Sequence, residues 1–297
     1  MSSSARSLFH LDPELLRQTV QLEVNRRERK DDMEIVRQYA KESHPIYELP
    51  HSQRAASFEE LELRYFRTLG FQEQLEKSLL HYPLLAKLKR IELAVTHAPK
   101  NEGADLIVPQ GNPDQLFVRL SVRPQRFLQP YFDYFLNAEW MHIADMLDPA
   151  FAYQPSRAWR SATPAGQKAA QERFSLLWSM SVEARLRNLG IDTGSARQEF
   201  EHRLSYCYPR RTAETLSTLA ETIRREAHPT QEWLLSFAED EAGTPHCPLC
   251  GFPTSAWADP ADLDRVAARV RTDSPEWRRE NGACERCVEG YLAQEIH

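Results

Sequence analysis

Four of the five cysteines in this 297-residue chain stand in two C-x-x-C pairs, Cys247-Pro248-Leu249-Cys250 and Cys284-Glu285-Arg286-Cys287, with 33 residues between them. Two residues between thiols let both sulfurs of a pair reach one ion from a single tight turn. Two such pairs supply four thiolates, the tetrahedral set of a structural zinc site. In the C-P-x-C-G form of the first pair, backbone N–H groups turn towards the sulfurs and stabilise their charge. Zinc suits this set best, with iron in a rubredoxin-like site and redox-active or unliganded thiols as the alternatives. In a reducing setting the spacing reads as metal ligation and not as two disulfides. His246 stands beside the first pair, but four-coordination does not need it. Cys207 has no partner at metal spacing and reads as a buried thiol.

A second group lies in residues 137–149, N-A-E-W-M-H-I-A-D-M-L-D-P. At ~100° per residue, Phe132, Phe135, Leu136, Ile143, Met146 and Leu147 form an apolar arc, and Glu139 falls near its middle. An ionised carboxylate buried without a partner costs several kcal/mol, so the position calls for a cation, a metal, strong donors or a raised pKa. Ala138, His142 and Asp145 follow one another along an adjacent edge. In the metallopeptidase helix H-E-x-x-H, two imidazoles one turn apart hold zinc and the Glu between them activates the bound water. Here Glu139 and His142 occupy their places in that motif, and Ala138 stands where the first imidazole belongs.

These groups need elements to position them. Residues 1–90 carry a helical pattern: Asp12 caps a helix with Pro13 at its first position, Met33, Ile35, Val36 and Tyr39 follow, and Glu59–Leu69 and Gln72–Leu80 repeat the spacing. The period then changes to two in Ile91–Val95 and Leu116–Val122, with Leu106–Val108 as a third strand between them. Turn residues at 100–103 and 110–113 join these strands. Pro130 fits the first turn of a helix reaching Leu147, which Asp148-Pro149 ends. A second long helix runs from about Gly166 to Leu189, with Gly190 just past its end. Helices follow over 212–226 and 231–239, and the polar segment 240–245 marks a boundary. Between the cysteine pairs, Asp259 caps a helix begun by Pro260, with Leu263, Val266, Ala267 and Val270 on one apolar face, and Asp273-Ser274-Pro275 begins a further turn. The expected organisation is α+β and mostly helical. It comprises an N-terminal helical region (1–90), an α+β domain with a helical extension (91–240) and a four-cysteine module (244–297).

Composition narrows the function classes. With 41% hydrophobic residues the chain can build a core, and a formal charge of −6 provides no cationic field for nucleic acid. Runs such as Arg26-Arg27-Glu28-Arg29-Lys30 therefore read as solvated helix faces. No apolar stretch approaches the ~20 residues of a membrane span, and the start lacks the apolar core of a signal peptide, so a cytoplasmic protein is expected.

The order of strands, motif helix, loop and second long helix over about residues 90–190 resembles the zincin metallopeptidase fold. The string from His142 to Tyr153 is similar to that of an uncharacterised bacterial group of zincin-like proteins. The resemblance implies a third ligand from the second helix, and Glu183, on an arc with Leu176 and Met180, matches it. It also implies that Glu139 is the general base. With alanine at 138, only His142 and Glu183 match the ligand set, and Asp145 would have to complete it. The expectation is one structural zinc in a protein with a degenerate hydrolytic motif that acts by recognising a protein partner, with neither nucleic acid nor membrane involved. Two alternatives stand beside it. One is an active zinc-dependent hydrolase with ligands His142, Asp145 and Glu183. The other is a non-enzymatic zinc-ribbon accessory factor, loosely similar to those of redox-enzyme maturation.

Overall fold

The computed structural model describes residues 8–109, 115–161, 164–208, 211–239, 247–252, 254 and 256–293. His246, the 240–245 boundary segment and the turn expected at 110–113 lie outside the described residues. The chain forms two compact units, Met1–Tyr153 with Leu186–Gly194, and Gln154–Arg185 with Ser195–His297.

In the first unit, β1 (Phe9–Leu11) leads into α1 (Pro13–Arg29), α2 (Met33–Ser43), α3 (His51–Thr68) and α4 (Phe71–Leu79). Then come β2 (Arg90–Val95), β3 (Gly103–Ile107), β4 (Phe117–Val122) and α5 (Phe132–Leu147). Asp12 caps α1 as expected, its carboxylate accepting the N–H of Glu14 at 2.8 Å and of Leu15 at 3.3 Å. The sheet order is β1-β2-β4-β3, parallel except for the antiparallel pairing of β3 with β4. Sequence neighbours are thus not always sheet neighbours, because β4 lies between β2 and β3. Burial explains the order. Phe117, Val118, Leu120 and Val122 of β4 are buried, as a central strand requires, whereas no residue of β3 is fully buried and it takes the edge. The sheet draws β1 from the N-terminal region through the pairs Phe9↔Ile91 and Leu11↔Leu93, and both fall within the first unit.

α5 is fixed at several points. The Trp140 indole donates to the Ser78 hydroxyl at 2.8 Å, and the Tyr82 hydroxyl lies 3.0 Å from both the main-chain and side-chain oxygens of Asn137. Its buried face includes Trp140 and Met141 beside Leu136 and Ile143, wider than the expected arc because the helix meets α4, β3 and the 83–87 turn. The helix begins two residues after Pro130, since Tyr131 adopts a left-handed φ of +64°.

The start of β3 is tied down by Glu102. Its buried carboxylate accepts from the Arg123 N–H at 3.1 Å, the Arg123 guanidinium at 3.0 Å and the Arg126 guanidinium at 2.5 Å. Burial opposes the charge, but the bonds from Arg126 and Arg123 outweigh it and hold the carboxyl below its usual range. The stabilisation is present above the ordinary Glu pKa and is lost as pH falls through the lower folded value. Glu102→Gln is expected to cost about 2 kcal/mol at pH 7 and to speed amide exchange at Ala104, both read from urea unfolding and hydrogen exchange.

The second unit contains most of α6 (Pro164–Asn188), then α7 (Ala196–Cys207), α8 (Ala213–Arg225), α9 (Gln231–Ala238), α10 (Pro260–Asp273) and α11 (Glu285–Ala293). α6 closes as expected on Gly190, left-handed at φ +78°, with the Ile191 N–H returning to the Leu186 carbonyl at 3.1 Å. Arg157 and Arg160 hold the buried Glu239, and the Arg173 guanidinium donates to the Ala238 carbonyl at 2.6 Å. The protein is thus a mostly helical α+β chain with a four-stranded mixed sheet. Among the described residues no helix is long and apolar enough to cross a membrane.

Candidate metal centre

The four cysteine sulfurs come together. One Sγ from each of Cys247, Cys250, Cys284 and Cys287 lies within 4.8 Å of every other. The Cys247–Cys287 separation is 3.9 Å and the Cys250–Cys284 separation 3.8 Å. A tetrahedron with Zn–S bonds of ~2.3 Å has edges of roughly 3.8 Å, so the cluster fits a single ion of that size.

Local sequence builds each half. In the first pair the Gly251 N–H returns to the Cys247 carbonyl at 2.8 Å, and the Cys247 N–H donates to the Phe252 carbonyl at 2.7 Å. Gly251 has a φ of +69°, the left-handed value this turn requires. In the second pair Trp257 bridges to Cys284, the Ala258 N–H bonds the Ala283 carbonyl at 3.0 Å, and α11 begins at Glu285. The Trp257 ring packs on Gly282, where a Cβ would lie 2.9 Å from it. The spacer helix α10 behaves as its sequence predicts. The Asp259 carboxylate accepts the Ala261 N–H at 2.8 Å, and Leu263, Val266, Ala267 and Val270 are buried. With Trp277, Ala283 and Val288 they make a core confined to residues 247–292.

The electrostatics suit a cation. Burial opposes ionisation of Cys247, but the N–H groups of Cys284, Cys250 and Leu249 outweigh it and bring the thiol down to about 7; the Cys284 N–H lies 3.3 Å from its sulfur. Burial pushes Cys284 and Cys287 up, and the neighbouring thiols add to the effect at Cys287. The first thiolate forms readily and the next are opposed, an opposition that a divalent ion among the sulfurs removes. Cys207 stands apart on α7, half-buried, its thiol pushed up by burial.

On α5, Glu139 has a donor that its sequence did not announce. Its Oε2 accepts the Ala104 N–H of the edge strand β3 at 2.7 Å. Gly103, just before that amide, has a φ of +149°, which L side chains rarely adopt. Burial pushes the Glu139 carboxyl up to about 7; the Ala104 N–H opposes this, and Asp105 and Glu102 add to it. One good donor thus partly compensates a carboxyl that the fold still prefers protonated. His142 and Ala138 are half-buried and Asp145 is buried on the same helix, while Glu183 is buried on α6 beside Leu176 and Met180.

No protein-family model, curated protein or solved structure matches the chain. None of these comparisons supports the zincin resemblance. Fold and site define a mostly helical α+β protein carrying a four-cysteine cluster that can hold one metal ion.

Proposed function

We propose that the four cysteines hold one structural zinc, and that the protein acts by recognising a protein partner, its α5 motif being a hydrolytic site that has lost a ligand. The sulfur geometry carries the metal assignment: separations of 3.8 and 3.9 Å match the edge of a zinc–thiolate tetrahedron, and a main-chain N–H points at one of the sulfurs. Among the described residues, the four cysteines are the one group of three or more ligand side chains close enough to share an ion, which supports a count of one. Recognition rather than hydrolysis is supported by Ala138, which removes a strong ligand from the place where catalytic zinc needs three.

One observation favours a second reading, an active hydrolase with Glu139 as its general base. A carboxyl brought to about 7 is poised to take and return a proton near neutral pH, as a general base does. Metal analysis of the native protein and of Ala138→His separates the two. The recognition reading expects about one zinc per native chain and a rise towards two in the variant, because the new imidazole would stand one turn from His142. Two tightly held zincs in the native protein would establish the hydrolase reading. No gain in the variant would remove the peptidase ancestry from the proposal and leave the cysteine module alone.

A further inference from the structure

Three buried carboxylates elsewhere in this protein come with arginines, and Glu139 has the Ala104 N–H. Glu23 pairs with Arg26 and Arg27, Glu102 with Arg123 and Arg126, and Glu239 with Arg157 and Arg160. Glu62, on α3, is as deeply placed at 4% exposure, yet among the described residues no hydrogen bond or ion pair reaches its carboxyl. Such a group costs several kcal/mol to bury charged unless something satisfies it.

Glu62 lies in a pocket of about 520 Å³ formed by α1, α2, α3 and the turns beside them. Tyr39, Tyr47 and Phe58 line it, with Tyr47 and Phe58 in edge contact at 5.1 Å and Tyr47 60% exposed at the mouth. Donors on the rim are turned away from the carboxyl. The Arg17 guanidinium is held by Glu14 through bonds of 3.0 and 2.6 Å, Gln18 also donates to Glu14, and Gln21 donates to Asn25 at 3.0 Å. Among the described residues, Glu62 is the one carboxylate lining the pocket; beside it stand aromatic faces and the neutral Gln125 amide and Tyr39 and Tyr47 hydroxyls, and the one lining cation, Arg17, is held by Glu14. A metal ion would find a single carboxylate, with only neutral amide and hydroxyl oxygens beside it. Burial pushes the Glu62 carboxyl up to about 7, Arg17 pulling the other way and Glu14 and Glu59 adding to the rise.

We propose that this pocket binds an organic cation, a primary ammonium or guanidinium group whose charge meets Glu62 and whose alkyl stem lies against Tyr39, Tyr47 and Phe58. Aromatic faces attract such cations, and a carboxylate at the floor supplies the partner that the fold withholds. The site rests on the helices of the first unit and stands or falls independently of the cysteine module.

Calorimetric titration of the full chain at pH 8 tests it, with n-butylammonium and n-butylguanidinium as probes, n-butanol as the neutral control and a lysine-containing peptide as a fourth arm. Saturable one-to-one binding of at least one cation is expected, with none of butanol. Glu62→Gln, which keeps the shape and removes the charge, should weaken binding at least about tenfold, and Tyr47→Ala about threefold. A peptide held more tightly than butylammonium would identify a protein side chain as the source of the cation, and the reverse a free amine. Absence of saturable binding by every cation, or undiminished affinity in Glu62→Gln, would overturn the proposal. Should Glu62→Gln fail to fold, undiminished affinity in Tyr47→Ala, whose side chain is exposed, would do the same.

Discussion

Cys284→Ser should release the metal and unfold residues 247–293. The reason is the size of the core that a metal in the cluster would support. Its buried side chains belong to a segment far below the ~70 residues at which a core alone supplies more than a few kcal/mol. Zinc held by four thiolates contributes roughly 10 kcal/mol or more of apparent binding energy at neutral pH, and that energy is folding energy when the free segment is marginal. Serine keeps the shape of the side chain but does not replace a thiolate, so three ligands remain and the closed site opens. Trypsin has Arg265, Arg269, Arg271, Arg278 and Arg279 available in and beyond α10, so digestion should turn from slow to rapid with loss of the segment from the intact mass. The same outcome should follow from a chelator, and more readily at pH 5.5 than at pH 8. Protons compete for the sulfurs, and Cys284 and Cys287 hold theirs tightly. Cys207→Ser is the control, since that thiol lies on α7 away from the cluster and should leave metal and digestion unchanged. Full metal content and unaltered cleavage in Cys284→Ser would show that the module folds on its apolar core alone.

The cysteine module was the most legible part of the sequence because its information is local. Ligand spacing, the proline and glycine of the first turn, the Asp259 cap and the arc of Leu263, Val266, Ala267 and Val270 all lie within a few residues of the structure they specify. β2 and β4 were legible for the same reason, their alternation being written along each strand. Order within the sheet was not, because the insertion of β4 between β2 and β3 depends on which strand is buried on both faces, a property of the assembled layers. Strand β1 escaped because three residues show no period, and only pairing with Ile91 and Leu93 makes Phe9–Leu11 a strand. For α7 a signal was present and missed: Ala196, Phe200 and Leu204 stand four apart and all three are buried. The position of Glu139 on an apolar arc correctly demanded a donor, but nothing near it in sequence could name Ala104, 35 residues away. The bare carboxyl of Glu62 was equally silent, since the Glu59–Leu69 spacing specifies a helix and not which of its carboxylates lacks a donor.

Glu139→Gln should stabilise the protein above pH 7 and leave it nearly unchanged below pH 4. With its pKa brought up to about 7, the folded carboxyl keeps its proton over a range in which the unfolded chain has already lost it. The folded state binds more protons between the ordinary Glu value and 7, so the stability Glu139 contributes is complete at low pH and falls as pH rises through that window. Glutamine does not titrate, and its amide oxygen can still accept the Ala104 N–H. The difference between variant and native protein should therefore open from near zero at pH 4 to about 3 kcal/mol at pH 8, read from urea midpoints at matched slopes. Glu62 adds a pH dependence of the same sign to both proteins and cancels in the comparison. The experiment also reports on function, because a cation beside Glu139 would reverse the sign. A metal held by His142 and its neighbours would favour the ionised carboxylate, and glutamine would then destabilise at pH 8. Repeating the measurement with and without a chelator distinguishes the cases. A gain at pH 8 that ignores the chelator belongs to a protein with no metal beside Glu139. A loss at pH 8 that the chelator converts into a gain belongs to a working metal centre assembled without a histidine at position 138.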